Sequence, residues 1–258
     1  MRPALATLGL PGTPLAEVLR LAVAHGWAGL ELRCAPGEPV HLGLTAAERR
    51  AVARALDAAA ITPLCVASYL GVAGAGADQP VLADLRAHLR LAADLGAPHL
   101  RVFPRGGDAP AEQADRTAAR RLGAIADEAG ALGVRILVET HDSHRSGHTL
   151  ARLLDLVGHP SVGALWDLLH TWLAGDTVAD SYAALRAHLG YVQVKDVAGP
   201  ADLTPLPLGR GVLPLAECVA LLPADTWVSW EYEAPWHPTA APLAPLLEAG
   251  GEVLRGLG

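Results

Sequence analysis

The chain has 258 residues, 51% of them hydrophobic and 18% charged, and a formal charge of -7. That apolar content leaves no long polar segment to remain disordered, and no run of about 18 residues free of Gly, Pro and charge is present to cross a membrane. The acidic balance and scattered arginines lack the basic stripe of a nucleic-acid binder, and the widely spaced Cys34, Cys65 and Cys218 read as small core residues of a reducing compartment, the cytoplasm.

The N-terminal stretch MRPALATLGLPGTPLAEVLR begins apolar but is broken by Pro11, Gly12 and Pro14. It reads as a first strand, residues 4–8, and a helix opened by Pro14, not as a signal peptide. Strand-like apolar runs follow at residues 29–32, 62–67, 99–103, 135–139, 163–167, 191–195 and 227–231. Between them lie helix-period segments such as LAEVLRLAVAHG, TAAERRAVARALDAAA and PVLADLRAHLRLAADLG. Strand, helix, strand repeated along the chain forces parallel pairing with right-handed crossovers. Eight such units in a chain of this length predict an α/β fold, a single (β/α)8 TIM barrel over residues 1–258. No linker or further repeat interrupts the rhythm.

In such a barrel the chemistry gathers at the C-terminal ends of the strands, and there the apolar runs stop abruptly. The fifth, in RILVETHDSH, ends in Glu139. The sixth, VGALWD, ends in Asp167. The seventh, YVQVKD, carries Gln193, Lys195 and Asp196, and the eighth, TWVSWEYE, ends in Glu231 with Glu233 beyond it. A single strand-end acid caps a helix or pairs with Arg. Four in succession converge on one rim, where crowded carboxylates repel unless a cation lies among them. Lys195 is the only lysine among 20 basic residues. GC-rich codon usage explains the scarcity, and the survival of one lysine at a strand end invites a local reason.

These pieces, VETHDSH, LWDLLHTW, YVQVKD, the Gly-x-Gly loop of PLGRGVLPL and SWEYE, resemble the xylose-isomerase-like TIM-barrel superfamily of sugar isomerases, epimerases and dehydratases, over nearly the whole chain. GLELR, with Glu31 and Arg33, fits the end of its second strand. The resemblance implies one divalent metal held by Glu139, Asp167, Gln193 and Glu231. Gln193 stands where the epimerases carry histidine. An oxygen-only set favours Mn²⁺ or Mg²⁺, with Zn²⁺ or Co²⁺ as the alternatives. It implies Glu139 and Glu231 as the catalytic pair, passing a proton next to a carbonyl through an enediolate, and His170, Lys195, Arg33 and His141 as substrate contacts, with His144 a further candidate. His25, His88, His159 and His188 read as surface residues, while His237 in APWHP follows the last of the acid-bearing strands and is a further candidate for the site. The expected partner is a small sugar or polyol, not a nucleic acid or a membrane, and a homo-oligomer is allowed. Three rivals remain: a dehydratase of a cyclic polyol or keto acid, a sugar-binding protein whose metal site has decayed, and a nuclease of the endonuclease IV branch. The last needs histidines at strand ends three and four, where CVASYLG and RVFPRGG have none.

Overall fold

Eight parallel strands close into one barrel in a computed structural model that describes residues 1–258. They are β1 (Arg2–Ala6), β2 (Gly29–Arg33), β3 (Thr62–Gly71), β4 (His99–Phe103), β5 (Arg135–Glu139), β6 (Val162–Asp167), β7 (Leu189–Val194) and β8 (Trp227–Trp230). Each pairs with its neighbours in sequence, and β8 closes the ring onto β1 through Arg2–Trp227 and the three pairs that follow. Nine helices wrap the outside: α1 (Leu15–Ala24), α2 (Ala46–Ala58), α3 (Asp78–Leu95), α4 (Ala111–Ala131), α5 (Gly147–Val157), α6 (Leu168–Leu173), α7 (Val178–Leu185), α8 (Leu215–Leu221) and α9 (Leu247–Leu257). None is long and apolar enough to cross a membrane.

The strands fall where the apolar runs predict them, with differences at their ends: β3 continues past residue 67 to Gly71, and β7 begins at Leu189 rather than 191. β1 starts at Arg2, whose guanidinium lies 3.7 Å over the Trp227 ring and whose N–H bonds the Thr226 carbonyl at 2.9 Å. Thr7 and Leu8, read as strand, instead belong to a 3-10 segment, Thr7–Gly9. β7 and β8 end one residue before Lys195 and Glu231, and a short antiparallel hairpin, Val197–Gly199 with Asp202–Pro205, follows β7. Cys34, Cys65 and Cys218 are free and buried, as expected.

The core has two parts. The larger lies between strands and helices, where α4 presents Ala114, Ala118, Leu122, Ile125 and Ala129 at helical spacing. The smaller plugs the barrel itself. Ala4, Leu64, Cys65, Leu137, Leu165 and Tyr191 are fully buried together, with Trp227 packed against them. Side chains two apart on a strand share a face. The residues two beyond this floor, Glu139 above Leu137, Asp167 above Leu165 and Gln193 above Tyr191, therefore rise on the same inner face toward the mouth.

The long β3–α3 connection is held by one buried arginine. Arg121 on α4 donates to the carbonyls of Val72, Gly74 and Gly76 at 2.8–2.9 Å and pairs with Asp78 at 2.8 Å. Removing the guanidinium strands three carbonyls, while Arg120 still holds Asp78 at 2.7 and 2.8 Å. Arg121→Met is expected to cost on the order of 3 kcal/mol, read from urea denaturation. A loss below about 0.5 kcal/mol, the size of an ordinary surface change, would show the clamp to be dispensable.

Candidate active site at the C-terminal rim

A buried ammonium occupies the centre of the mouth. Lys195 is 2% exposed and pairs with Asp167 at 2.8 Å and with Glu231 and Glu233. Burial alone would depress its pKa. Asp167, Glu231, Glu233 and Glu139 together hold it charged, well above the ordinary lysine value. Asp167 divides its carboxylate: Oδ1 caps α6 by accepting the N–H groups of Leu169 at 2.8 Å and His170 at 3.3 Å, while Oδ2 faces the lysine. Thr140 ties the ends of β5 and β6 together, its hydroxyl accepting the Asp167 N–H at 2.8 Å.

A second buried cation comes from the middle of β4. Arg101, 3% exposed, sets Nη1 3.2 Å from Glu139 Oε2, with its guanidinium 4.1 Å from the Phe103 ring centroid. Burial opposes its charge, and Glu139, Glu231 and Glu31 sustain it. Sequence reasoning missed this residue. The signal was there, because in HLRVF an arginine shares the inward parity of His99 and Phe103.

The Gln193 amide is anchored by its nitrogen. Its Nε2 donates to Glu31 Oε1 at 2.7 Å and to Glu231 Oε1 at 3.2 Å. Glu31 is thereby a fifth carboxylate of the site. Burial first, then Glu231, push its pKa up to about 7. Glu139 is also raised well above the usual carboxylate range, by burial and by Glu231 and Asp167, against Arg101 and Lys195.

The remaining predicted contacts sit round this centre. His141 and His170 meet edge to face with ring centroids 4.1 Å apart, and Phe103 backs His141 at 4.6 Å. Burial pushes the His170 pKa down to about 4, so its imidazole is neutral at pH 7. Arg33 stands at the rim, donating to Tyr69 Oη at 2.9 Å and pairing with Glu38 at 2.7 Å. Its guanidinium lies 5.5 Å from the exposed Trp236 ring. His144 turns away from the mouth and buries against Asp115 at 2.7 Å. Asp196 turns away too. Its two oxygens accept the N–H groups of Val197, Gly209, Gly211 and Leu213 at 2.9–3.2 Å, which builds the Gly-x-Gly loop. Gly211 must lack a side chain, since a Cβ there would collide with Asp196 Oδ1 and the Val197 carbonyl. His88, expected at the surface, is buried on α3 with Nδ1 bonded to the Asp84 carbonyl at 2.9 Å.

The chemistry of the donors suits a cation. Glu31 Oε2, Glu139 Oε2, Asp167 Oδ2, Gln193 Oε1, His141 Nδ1 and His170 Nε2 are all buried without a hydrogen-bond partner. Asp167 and Glu139 lie close to Lys195 and Arg101, and His141 Nδ1 lies 2.9 Å from Asp142 Oδ1, all off the line of a hydrogen bond. So many unpaired acceptors in one mouth call for a ligand. The one trio of His, Cys, Asp or Glu whose donor atoms all lie within 4.8 Å of one another is Glu139, His141 and His170. This trio has the donors for a divalent ion, whereas of the predicted Glu139, Asp167, Gln193 and Glu231 only Glu139 belongs to it: Lys195 pairs with Asp167 and Glu231, and Gln193 Nε2 donates to the other Glu231 oxygen.

Residues 19–256 match the family model described as xylose isomerase-like TIM barrel. No curated protein sequence matches the chain. Among solved structures, the probable 3-DHS dehydratase AsbF from Bacillus anthracis superposes with a TM-score of 0.82 at 17% identity, over 99% of each chain. D-psicose 3-epimerase from Clostridium cellulolyticum H10, solved with D-tagatose, gives 0.83 at 13% identity over 100% of this chain and 99% of its own. The IOLI protein with a bound zinc atom gives 0.78 at 15% identity over 98% and 97%. At these identities the likeness establishes the fold.

The raised pKa of Glu31 has a sign that can be measured. Between its ordinary value of 4.5 and about 7, the folded chain holds a proton that the unfolded chain has lost. The Glu31 contribution therefore favours folding at pH 5 and is lost as pH rises through 7. Glu31→Gln, which keeps an acceptor for Gln193, is expected to exceed wild type in stability by about 1–3 kcal/mol at pH 8 and by much less at pH 5. Urea midpoints at the two pH values decide it. Equal differences at both would mean that Glu31 titrates normally.

Proposed function

Since the chain belongs to the xylose isomerase-like TIM barrel family, we propose that it is a divalent-metal-assisted isomerase or epimerase of a small sugar or polyol. The observation that carries the reading is the cluster of buried, unpartnered acceptor atoms gathered round carboxyls whose proton affinity burial has raised. A carboxyl that titrates nearer neutrality suits taking and returning protons. In this reading Glu139 and Glu231 are the catalytic pair. One removes the proton next to the substrate carbonyl, and the other delivers it to the opposite face or to the adjacent carbon. Glu139, Asp167, Gln193 and Glu231 hold the ion, Mn²⁺ or Mg²⁺ from their oxygen donors. When bound, the ion supplies Lewis acidity at the substrate oxygens. Lys195 and His170 bind those oxygens from the protein side, Lys195 as a charged donor and His170 as a neutral imidazole. His141 and Arg33 hold the remainder of the substrate. The epimerase likeness supports this choice of reaction.

One observation favours a second reading, dehydration of a keto acid. Arg101 keeps Nε and Nη1 buried without hydrogen-bond partners, and Lys195 lies in the same mouth. A buried guanidinium with free donors, beside a second buried cation, is the means of holding a substrate carboxylate. One of the similar structures is a probable 3-DHS dehydratase. The first step is shared: a carboxylate takes the proton next to the carbonyl. The carbon–oxygen bond to the neighbouring hydroxyl then breaks, and that oxygen leaves as water after receiving a proton from an acid of the site.

Incubation with Mn²⁺ and D-psicose, D-tagatose, L-ribulose or 3-DHS in D₂O tests the common step. Deuterium next to the carbonyl with an epimeric or isomeric product is expected, at a rate lowered about a thousandfold in Glu139→Gln. An unsaturated product from 3-DHS moves the assignment to dehydration. Exchange that proceeds equally in Glu139→Gln sinks the role of Glu139.

A Mn²⁺ titration of wild type, Gln193→His, Gln193→Ala and His141→Ala tests the ligand set. The histidine variant is expected to bind more tightly, with preference moved toward Co²⁺ or Zn²⁺, and Gln193→Ala to bind about tenfold more weakly. Matching constants for wild type and Gln193→Ala would rule out ligation by Gln193. If His141→Ala alone weakens binding, the ion sits instead with Glu139, His141 and His170.

A further inference from the structure

Outside the mouth, three ionisable or hydroxyl side chains form a continuous hydrogen-bonded chain that the proposed chemistry does not use. The Gly106 N–H donates to Ser143 Oγ at 2.9 Å. Ser143 Oγ meets His144 Nδ1 at 2.9 Å, and His144 Nε2 meets Asp115 Oδ1 at 2.7 Å. Asp115 Oδ2 accepts Arg152 Nε at 2.6 Å. A carboxylate can only accept, so His144 carries a proton on Nε2, and Ser143 Oγ accepts the Gly106 amide. His144 and Asp115 are buried, whereas Ser143 is exposed.

This chain joins four pieces of the barrel: the loop after β4, the loop after β5, α4 and α5. Its second member is one turn away from a predicted substrate contact. The His144 N–H bonds the His141 carbonyl at 2.8 Å and closes a 3-10 turn over Asp142–His144. Asp142 adopts φ +46, a left-handed conformation that few residues other than glycine take. That turn sends the His144 side chain outward to Asp115 while His141 faces Phe103 and His170. Gly106 fits the same design independently, because a Cβ there would lie 2.7 Å from Ser143 Oγ and 3.0 Å from Ala114 Cβ.

We propose that Ser143, His144 and Asp115 are positioning residues that set the imidazole of His141 against the mouth, with Gly106 as the amide that anchors them. Asp142, Ser143 and Arg145 are exposed, so the loop itself buries little. Fixing the backbone of each loop residue costs roughly 1–2 kcal/mol in conformational entropy. The hydrogen-bonded chain offsets that cost on the far side of the loop and leaves the face with His141 free for substrate. The role of His141 in binding substrate rests on the reading given under Proposed function, but its placement by the relay does not.

The experiment compares wild type, Ser143→Ala, Ser143→Thr and Gly106→Ala. Two readouts are used: the ring ¹⁵N and ¹³C signals of His141, assigned with His141→Gln, and KM against kcat on whichever of the four substrates above is turned over. Ser143 is exposed, so Ser143→Ala folds, and melting temperatures confirm it. In Ser143→Ala and Gly106→Ala the His141 signals are expected to move toward those of a solvent-averaged imidazole. KM should rise about tenfold, the value of one hydrogen bond, with kcat changed less. Ser143→Thr, which keeps the hydroxyl, should restore both. Unmoved His141 signals in folded Ser143→Ala overturn the proposal, as does a threonine variant that behaves like alanine. If none of the substrates reacts, the failure belongs to the catalytic reading and the ring signals alone decide the positioning role.

Discussion

The architecture of the mouth depends on the pairing of buried charge. Five carboxylates, from Glu31, Glu139, Asp167, Glu231 and Glu233, share a space with two cations, Arg101 and Lys195. At an effective dielectric near 20, two like charges 4 Å apart repel by about 4 kcal/mol, so five uncompensated anions could not coexist there. The molecule lowers the load in two ways. Lys195 touches three of the acids at once, and Glu31 and Glu139 are driven by burial to hold protons more tightly. Such a centre is weak evidence for stability, because desolvation cancels much of the attraction. It does specify which groups can take up and release charge.

The same economy recurs in the loops around the rim. One buried ionic group satisfies several backbone groups and fixes a segment that has little core of its own. Arg121 does this for the carbonyls after β3, and Asp196 for the amides of the Gly-x-Gly loop. Asp115 does it at one remove, through His144 and Ser143. Each clamp lies outside the barrel wall, so the inward parity of every strand remains free for the site. The rigid barrel and the clamped loops together give the preorganisation that the proposed proton transfer needs.

The barrel was legible in the sequence because parallel strands buried on both faces leave unbroken apolar runs, and an acid closing such a run stands out. Glu139, Asp167 and Glu231 were found that way. Arg101 was not, since one arginine inside HLRVF looks like ordinary alternation until the inward face of β4 is known. Asp196 and His144 were grouped with the rim by proximity in sequence, although a strand sends neighbours to opposite faces and a turn can reverse a side chain. Asp196 follows inward Lys195 and faces out, and His144 is turned by the left-handed Asp142. The orientation of the Gln193 amide lies beyond any sequence pattern. It is set by which acids lie nearest, and those come from β2 and β8, far away in the chain.

The floor of the barrel has a consequence for traffic. Leu137, Leu165 and Tyr191 are packed with no exposed surface, and Trp227 backs them from below. The barrel is thus plugged on its N-terminal side, and the mouth is its one opening. Under the proposed reaction, whatever enters the mouth leaves by the same route, so product and the next substrate exclude each other. Turnover in such a vessel would be a sequence of exclusive occupancies, in which the solvent admitted between them sets how often the resident acids exchange their protons with bulk water.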